Sequence, residues 1–325
     1  MRGTSVAQCK GEMQPAASRT ANHQRETNSV RQLQSGQISE LVVARRDGAG
    51  CEVVYRTHEL IEAPNWTPDG RWLIFNAGGR LYRLSPDGAE GPVLIETGAL
   101  NDLNNDHVVS PDGRWLFLSS DDGHLYRVSS EGGDVTRVSN QHGAPGDYRY
   151  YLHGISPDGE TLAYVGLTVE QGRTVTRVCT IPAEGGPDRI LTDGAHPVDG
   201  PEFSPDGAFL YLNAEAADRA PGHAQIYRMK LDGKGVEQLT FDDRVNWFPH
   251  ISPDGATMAY LSYPSGTLGH PADHEVIIRL ARPDGSDISD LDAFNGGQGS
   301  INVASWAPDS SKLAYVRYPF SASAA

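Results

Sequence analysis

Thr67-Pro-Asp-Gly70, Ser110-Pro-Asp-Gly113, Ser156-Pro-Asp-Gly159, Ser204-Pro-Asp-Gly207, Ser252-Pro-Asp-Gly255 and Ala307-Pro-Asp-Ser310 punctuate the chain every forty to fifty-five residues. Proline presets φ near −65° at the second position of a turn, aspartate favours the third by bonding to nearby backbone, and glycine accepts φ above zero. Each copy therefore reads as a hairpin corner. Six copies of one corner at a steady period describe a repeat architecture rather than two unrelated domains.

Short alternating strands follow the corners: Arg71-Trp-Leu-Ile-Phe75, Trp115-Leu-Phe-Leu118, Thr161-Leu-Ala-Tyr164, Phe209-Leu-Tyr-Leu212, Met258-Ala-Tyr-Leu261 and Lys312-Leu-Ala-Tyr-Val316. A further strand comes next, as in Gly79-Arg-Leu-Tyr-Arg-Leu84 and Gln225-Ile-Tyr-Arg-Met229, and another closes the unit after a Gly-rich turn, as in Gly133-Asp-Val-Thr-Arg-Val138. Four antiparallel strands per period make a propeller blade, so the expected fold is all-β, a six-bladed β-propeller over residues 37–325. The last corner is followed by only one strand, leaving its blade two strands short. Residues 38–56 supply them, with Ser39-Glu-Leu-Val-Val-Ala44 and Cys51-Glu-Val-Val-Tyr55 around the turn Asp47-Gly48. The ring is then closed by two strands from each terminus, and no sheet edge is left exposed at the seam.

Composition agrees. The chain has 36 Gly and 21 Pro in 325 residues, as short strands and many turns require. Residues 1–36, rich in Gln, Ser, Asn and Arg, are expected to form a disordered tail, because they hold too little apolar surface to offset ordering entropy. The tail carries a net charge of +3, leaving −18 of the total of −15 on the remainder. So acidic a body repels phosphate backbones and anionic lipid, which argues against nucleic-acid and membrane partners. Cys9, Cys51 and Cys179 form an odd set without CxxC spacing, which predicts no structural zinc and no disulfide. With no apolar signal core in the first thirty residues, the expected location is cytoplasmic.

The first strand of each propeller blade lines the central channel, so the residues before each corner surround one mouth. These are Glu62-Ala-Pro-Asn-Trp66, Asn105-Asp-His-Val-Val109, Tyr151-Leu-His-Gly-Ile155, Asp199-Gly-Pro-Glu-Phe203, Trp247-Phe-Pro-His-Ile251 and Asn302-Val-Ala-Ser-Trp306. His107, His153 and His250 fall on three blades at nearly one height. Imidazole with carboxylate or amide oxygen is a ligand set for a divalent ion such as Mn²⁺, Zn²⁺ or Fe²⁺, and it also suits acid–base chemistry, for which His153, Asp199 and His250 are the candidates. Glu62, Asn105, Asp106 and Asn302 are expected at the same mouth as polar contacts, and Tyr151 and Trp247 as faces on which a sugar ring can stack. The long loop of the fifth blade brings His270 and His274, four residues apart, toward the opening. Asn295-Gly-Gly-Gln-Gly-Ser-Ile-Asn302 offers glycines for close backbone approach and sets Gln298 at the rim. No Gly-x-Ser-x-Gly elbow or triad spacing supports nucleophilic hydrolysis.

The repeated Ser-Pro-Asp-Gly corner followed by a short apolar strand resembles the TolB-type propeller repeat over roughly residues 38–318, and is distantly similar to oligogalacturonate lyase. The TolB resemblance implies a scaffold that holds a protein partner on one propeller face. The lyase resemblance implies a small-molecule ligand, a divalent metal on His107, His153, His250 and Gln298, and lyase or hydrolase chemistry on a carbohydrate derivative.

Overall fold

The computed structural model describes residues 31–216 and 219–321. Most of the expected tail, residues 1–30, lies outside the described residues. The described elements are strands, and they form the expected six-bladed ring. Five sheets have four antiparallel strands in simple sequence order. The sixth is the seam: Cys51–Thr57, Ser39–Arg45 and Lys312–Arg317 lie side by side, with Ser39–Arg45 in the middle. Its register runs from Glu40 opposite Arg317 to Arg45 opposite Lys312, and a bridge between Trp306 and Leu313 adds an inner fourth position. The two termini thus close the ring together, as the strand count predicts. No helix among the described residues is long and apolar enough to cross a membrane.

Corner chemistry explains why the chain turns where it does. In the second blade Ser110 Oγ donates to Asp112 Oδ1 at 2.6 Å and accepts the Trp115 amide at 2.9 Å, while the Gly113 amide bonds Ser110 O at 2.8 Å. One hydroxyl therefore ties the turn to the start of the next strand. The arrangement recurs at Thr67, Ser156, Ser204 and Ser252. The sixth corner lacks the hydroxyl at Ala307, and Ser310 adopts the positive φ of 62° that glycine takes elsewhere.

The core is distributed between blades. Six apolar clusters lie one at each blade interface, for example Leu41, Val43 and Val316 of the seam against Ile61, Trp66 and Phe75 of the first blade. Burying side chains of this size stabilises by about 1.5–3 kcal/mol each, so interface packing holds the ring shut. Cys179 is buried and free. Cys51 is disulfide-bonded, against the expectation of none.

Candidate functional site

The inner strands do not run straight into the channel mouth. Each of the first five breaks its pairing by a bulge: between Glu62 and Asn65, Leu103 and His107, Leu152 and Gly154, Asp199 and Glu202, and Trp247 and His250. A bulge re-aims the side chains beside it. Three bulges carry proline at an equivalent place (Pro64, Pro201, Pro249), preceded by a residue at positive φ: Ala63 at 54°, Gly200 at 60° and Phe248 at 54°. Polar groups from neighbouring strands hold the bulged backbone. Asn76 donates to Asn104 O at 2.8 Å, Ser119 Oγ accepts the Leu152 amide at 2.8 Å, and Asn213 Oδ1 accepts the Phe248 amide at 3.2 Å.

The result is a ring. Counted back from each corner, one repeat position holds Glu62, Asn105, Tyr151, Asp199, Trp247 and Asn302, and all six side chains line a single cavity of 1220 Å³ at the mouth. Asp106, His153, His270 and Gln298 line it too, together with Arg31, Arg149 and Phe248. Trp247 lies edge-on to His270, with ring centroids 4.6 Å apart. The loop His270 belongs to thus reaches the mouth, but His274 does not: it is exposed at the start of a strand and bonds Ala272 O at 3.0 Å.

A hydrogen-bonded chain crosses the floor. His153 Nε2 meets Asp199 Oδ1 at 2.9 Å, and its Nδ1 meets Asn302 O at 3.2 Å. Both partners are oxygen acceptors, so the geometry calls for a proton on each ring nitrogen, an imidazolium. The electrostatics agree: burial works against the charged ring, but Asp106 and Asp199 outweigh it and push the His153 pKa up to about 9. Burial likewise opposes the Asp199 carboxylate, yet His153 and then His270 hold it well below the ordinary carboxylate range. His270 stands 3.5 Å from Asp199 Oδ2 and donates from Nδ1 to Gln298 Oε1 at 2.5 Å; burial lowers its pKa, but the bond to Asp199 leaves it raised. Asp106 is the opposite case. Burial raises its pKa, and despite nearby His153 the Asp199 charge helps bring it up to about 6. The mouth therefore holds an imidazolium–carboxylate pair beside a carboxyl group that titrates near neutrality.

The three histidines expected at one height do not converge. His107 and His153 share a repeat position, but His153 is the bulged residue of its strand, whereas His107 is paired opposite Leu118. His107 consequently turns out of the channel toward Ile74 O at 3.4 Å, and burial pulls its pKa down to about 4. His250 has both ring nitrogens engaged by protein oxygens, Glu202 Oε2 at 2.5 Å and Ile301 O at 2.7 Å. A divalent ion on His107, His153, His250 and Gln298 does not fit this arrangement, and no group of three or more His, Cys, Asp or Glu among the described residues is disposed to hold a metal. His250 is also removed from the expected acid–base set, since it does not line the mouth cavity. Of that set, His153 and Asp199 are brought together.

Arg31 escaped the sequence reading, which placed it in the tail. Its guanidinium bonds Glu62 Oε1 at 3.0 Å and Gln298 O at 2.5 Å at the rim. Phe248 was also missed; its one signal is that it precedes the bulge proline Pro249. The polar residues inside otherwise apolar second strands, Asn76, Ser119 and Asn213, are a pattern that could have located the bulges.

The opposite mouth is different. The position immediately before each corner holds Trp66, Val109, Ile155, Phe203, Ile251 and Trp306, and these line a 380 Å³ opening with all six corner prolines.

No protein-family model matches the chain. An uncharacterized protein of Agrobacterium fabrum is 38% identical over 270 residues, 82% of this chain and 87% of that protein. A solved structure from Agrobacterium tumefaciens carrying a provisional TolB designation is 35% identical, covers 87% of this chain and 99% of its own, and superposes with a TM-score of 0.79. Oligogalacturonate lyase in complex with manganese is 14% identical over 79% of this chain and 89% of its own, with a TM-score of 0.53, a likeness of fold alone.

Proposed function

Because the chain belongs to the TolB-like six-bladed β-propeller family, we propose that it uses that ring as a receptor for a small polar ligand of carbohydrate type, bound at the mouth bounded by Glu62, Asn105, Tyr151, Asp199, Trp247 and Asn302. The observation that carries this reading is that one repeat position from all six blades lines one cavity. Acceptors (Glu62, Asp199), amides (Asn105, Asn302) and the rings of Tyr151 and Trp247 together match a molecule with many hydroxyls and an apolar ring face. Arg149, also on the wall, suits a carboxylate on that molecule.

Chemistry is available at the same place. Asp106, titrating near 6, can give or take a proton on a bound ligand, while the His153–Asp199 pair holds the charge opposite it. The enzymatic form of the proposal is acid–base lyase or hydrolase turnover without a step routed through a metal. A panel of neutral and acidic mono- and disaccharides, scanned by thermal shift and then calorimetry, tests binding. Asn105→Ala and Tyr151→Ala should each weaken a hit roughly tenfold or more, the worth of one good polar or stacking contact. A hit that both variants bind like the wild type would move the ligand elsewhere.

A second reading, a scaffold for a protein partner, is favoured by the apolar, proline-ringed opposite mouth, where a partner's apolar segment would seat. Substitution of the half-buried Ile155 by Asp should abolish capture of such a partner and leave saccharide binding unchanged. The reverse pattern would refute this second reading.

A further inference from the structure

The Arg31 guanidinium sits in a cradle made by parts of the chain far apart in sequence. Glu62 Oε1 and Gln298 O accept its bonds, Asp273 Oδ1 lies 3.7 Å from Nη2, and the carbon Cζ stands 4.1 Å over the Tyr318 ring. Tyr318 is itself fixed by donating to Ile61 O at 2.9 Å. Two carboxylates, a carbonyl and an aromatic face are the partners a planar guanidinium seeks. The wall is shaped for this purpose at Gly299, where φ is +86° and an added Cβ would fall 2.6 Å from Tyr318 Oη and 2.7 Å from Glu62 Cγ. The occupying segment is anchored at its C-terminal end, where Gly36 O accepts the Ser321 amide at 2.7 Å and buried Gln37 pairs with Phe320 and bonds Tyr318 O at 3.1 Å and Asp273 at 2.6 Å. Before that anchor Leu33 packs on the seam cluster, Gln34 bonds Asp273 at 3.0 Å, and Gln32, Gln34 and Ser35 are exposed. Lifting residues 31–35 would free Glu62 and one oxygen of Asp273 at the rim of a body whose formal charge beyond residue 36 is −18.

We infer that this cradle is a guanidinium-binding site, filled in cis by Arg31, which receives an arginine side chain of a partner polypeptide when segment 31–35 is displaced. This goes beyond the saccharide reading, since it concerns a cationic group and a different part of the rim, although Glu62 borders both. Arg31 acts as a built-in competitor: it lines the same cavity as the six-residue ring, so its departure also widens the mouth.

The test uses the full chain, N-acetyl-arginine amide as probe and N-acetyl-citrulline amide as its neutral isostere, with calorimetry of wild type, Arg31→Ala, and Arg31→Ala combined with Glu62→Gln or, separately, with Asp273→Asn. Arg31→Ala should bind the arginine probe at least tenfold tighter than the wild type and at least tenfold tighter than citrulline. Either second substitution should take back most of that gain, because each removes a charged partner of the guanidinium. Equal affinity of Arg31→Ala and wild type, equal affinity for arginine and citrulline, or indifference to both second substitutions would each overturn the inference. Scanning the saccharide panel on Arg31→Ala separates the two readings. Saccharide binding without arginine binding defeats only this inference, and arginine binding without saccharide binding defeats only the other.

Discussion

Replacing Asp199 by Asn should make stability less dependent on pH, in a direction set by His153. In the folded protein the His153 pKa is pushed up to about 9 from an ordinary 6.5, so between those values the folded state keeps a proton that the unfolded state has released. A group raised in this way contributes its full stabilisation below pH 6.5 and loses it as pH climbs through 9. At 1.36 kcal/mol per unit the interval is worth roughly 3 kcal/mol. Asp106 and Asp199 face the ring as carboxylates, with His270 beyond Asp199, so Asp199→Asn removes the hydrogen-bonded partner and leaves Asp106. The variant should be about 2 kcal/mol less stable than wild type at pH 6.5, with the gap closing toward pH 10, since a buried imidazolium without its carboxylate is costly and a neutral ring is not. Urea midpoints at pH 6.5, 8, 9 and 10 would read this out. Parallel pH profiles for the two proteins would refute an imidazolium at His153.

Three further outcomes follow from other parts of the ring. Deleting residues 38–56 removes the middle strand of the seam sheet, and the product should aggregate and lose its near-ultraviolet circular dichroism; a monomer with native spectra would disprove closure by both termini. Gly299→Ala should cost about 2 kcal/mol or more in urea unfolding, because it meets both a positive φ and the Glu62 and Tyr318 side chains, whereas a neutral effect would mean that the rim is loose. Tyr315→Phe strips the 2.6 Å bond to the buried Asp292 carboxylate, whose other oxygen has no partner, and should lower stability by about 2 kcal/mol; an unchanged midpoint would show that Arg317 suffices.

The fold was legible because the corner is chemically self-contained: a hydroxyl, a proline, an aspartate and a glycine within four residues specify a turn without help from distant parts of the chain. Repetition then supplied the blade count, and the missing strands at the last corner pointed to the seam. The mouth was legible in part. Counting back from the corners grouped six residues that line one cavity, since every blade departs from the corner in the same way. It failed for the histidines because a bulge changes which side chain faces inward, and bulges differ between blades. Blades one, four and five announce theirs with Pro64, Pro201 and Pro249; blades two and three have no such mark, so His107 and His153 looked equivalent and are not. Arg31 was invisible for a different reason: its cradle is assembled from residues 62, 273, 298 and 318, and nothing local to residue 31 records it.

The five tryptophans divide the molecule conveniently. Trp247 lies at the mouth lined by the six-residue ring, Trp66 and Trp306 at the opposite one, and Trp72 and Trp115 pack beneath Arg83 and Arg127. Titrating galacturonate and its dimer into ¹⁵N-labelled protein, with the Trp247 indole resonance assigned through Trp247→Phe, tests the central claim most directly. Saturable movement of the Trp247 indole signal with the other four still is the predicted result; movement of Trp66 or Trp306 instead, or of none, would contradict a carbohydrate site at this mouth.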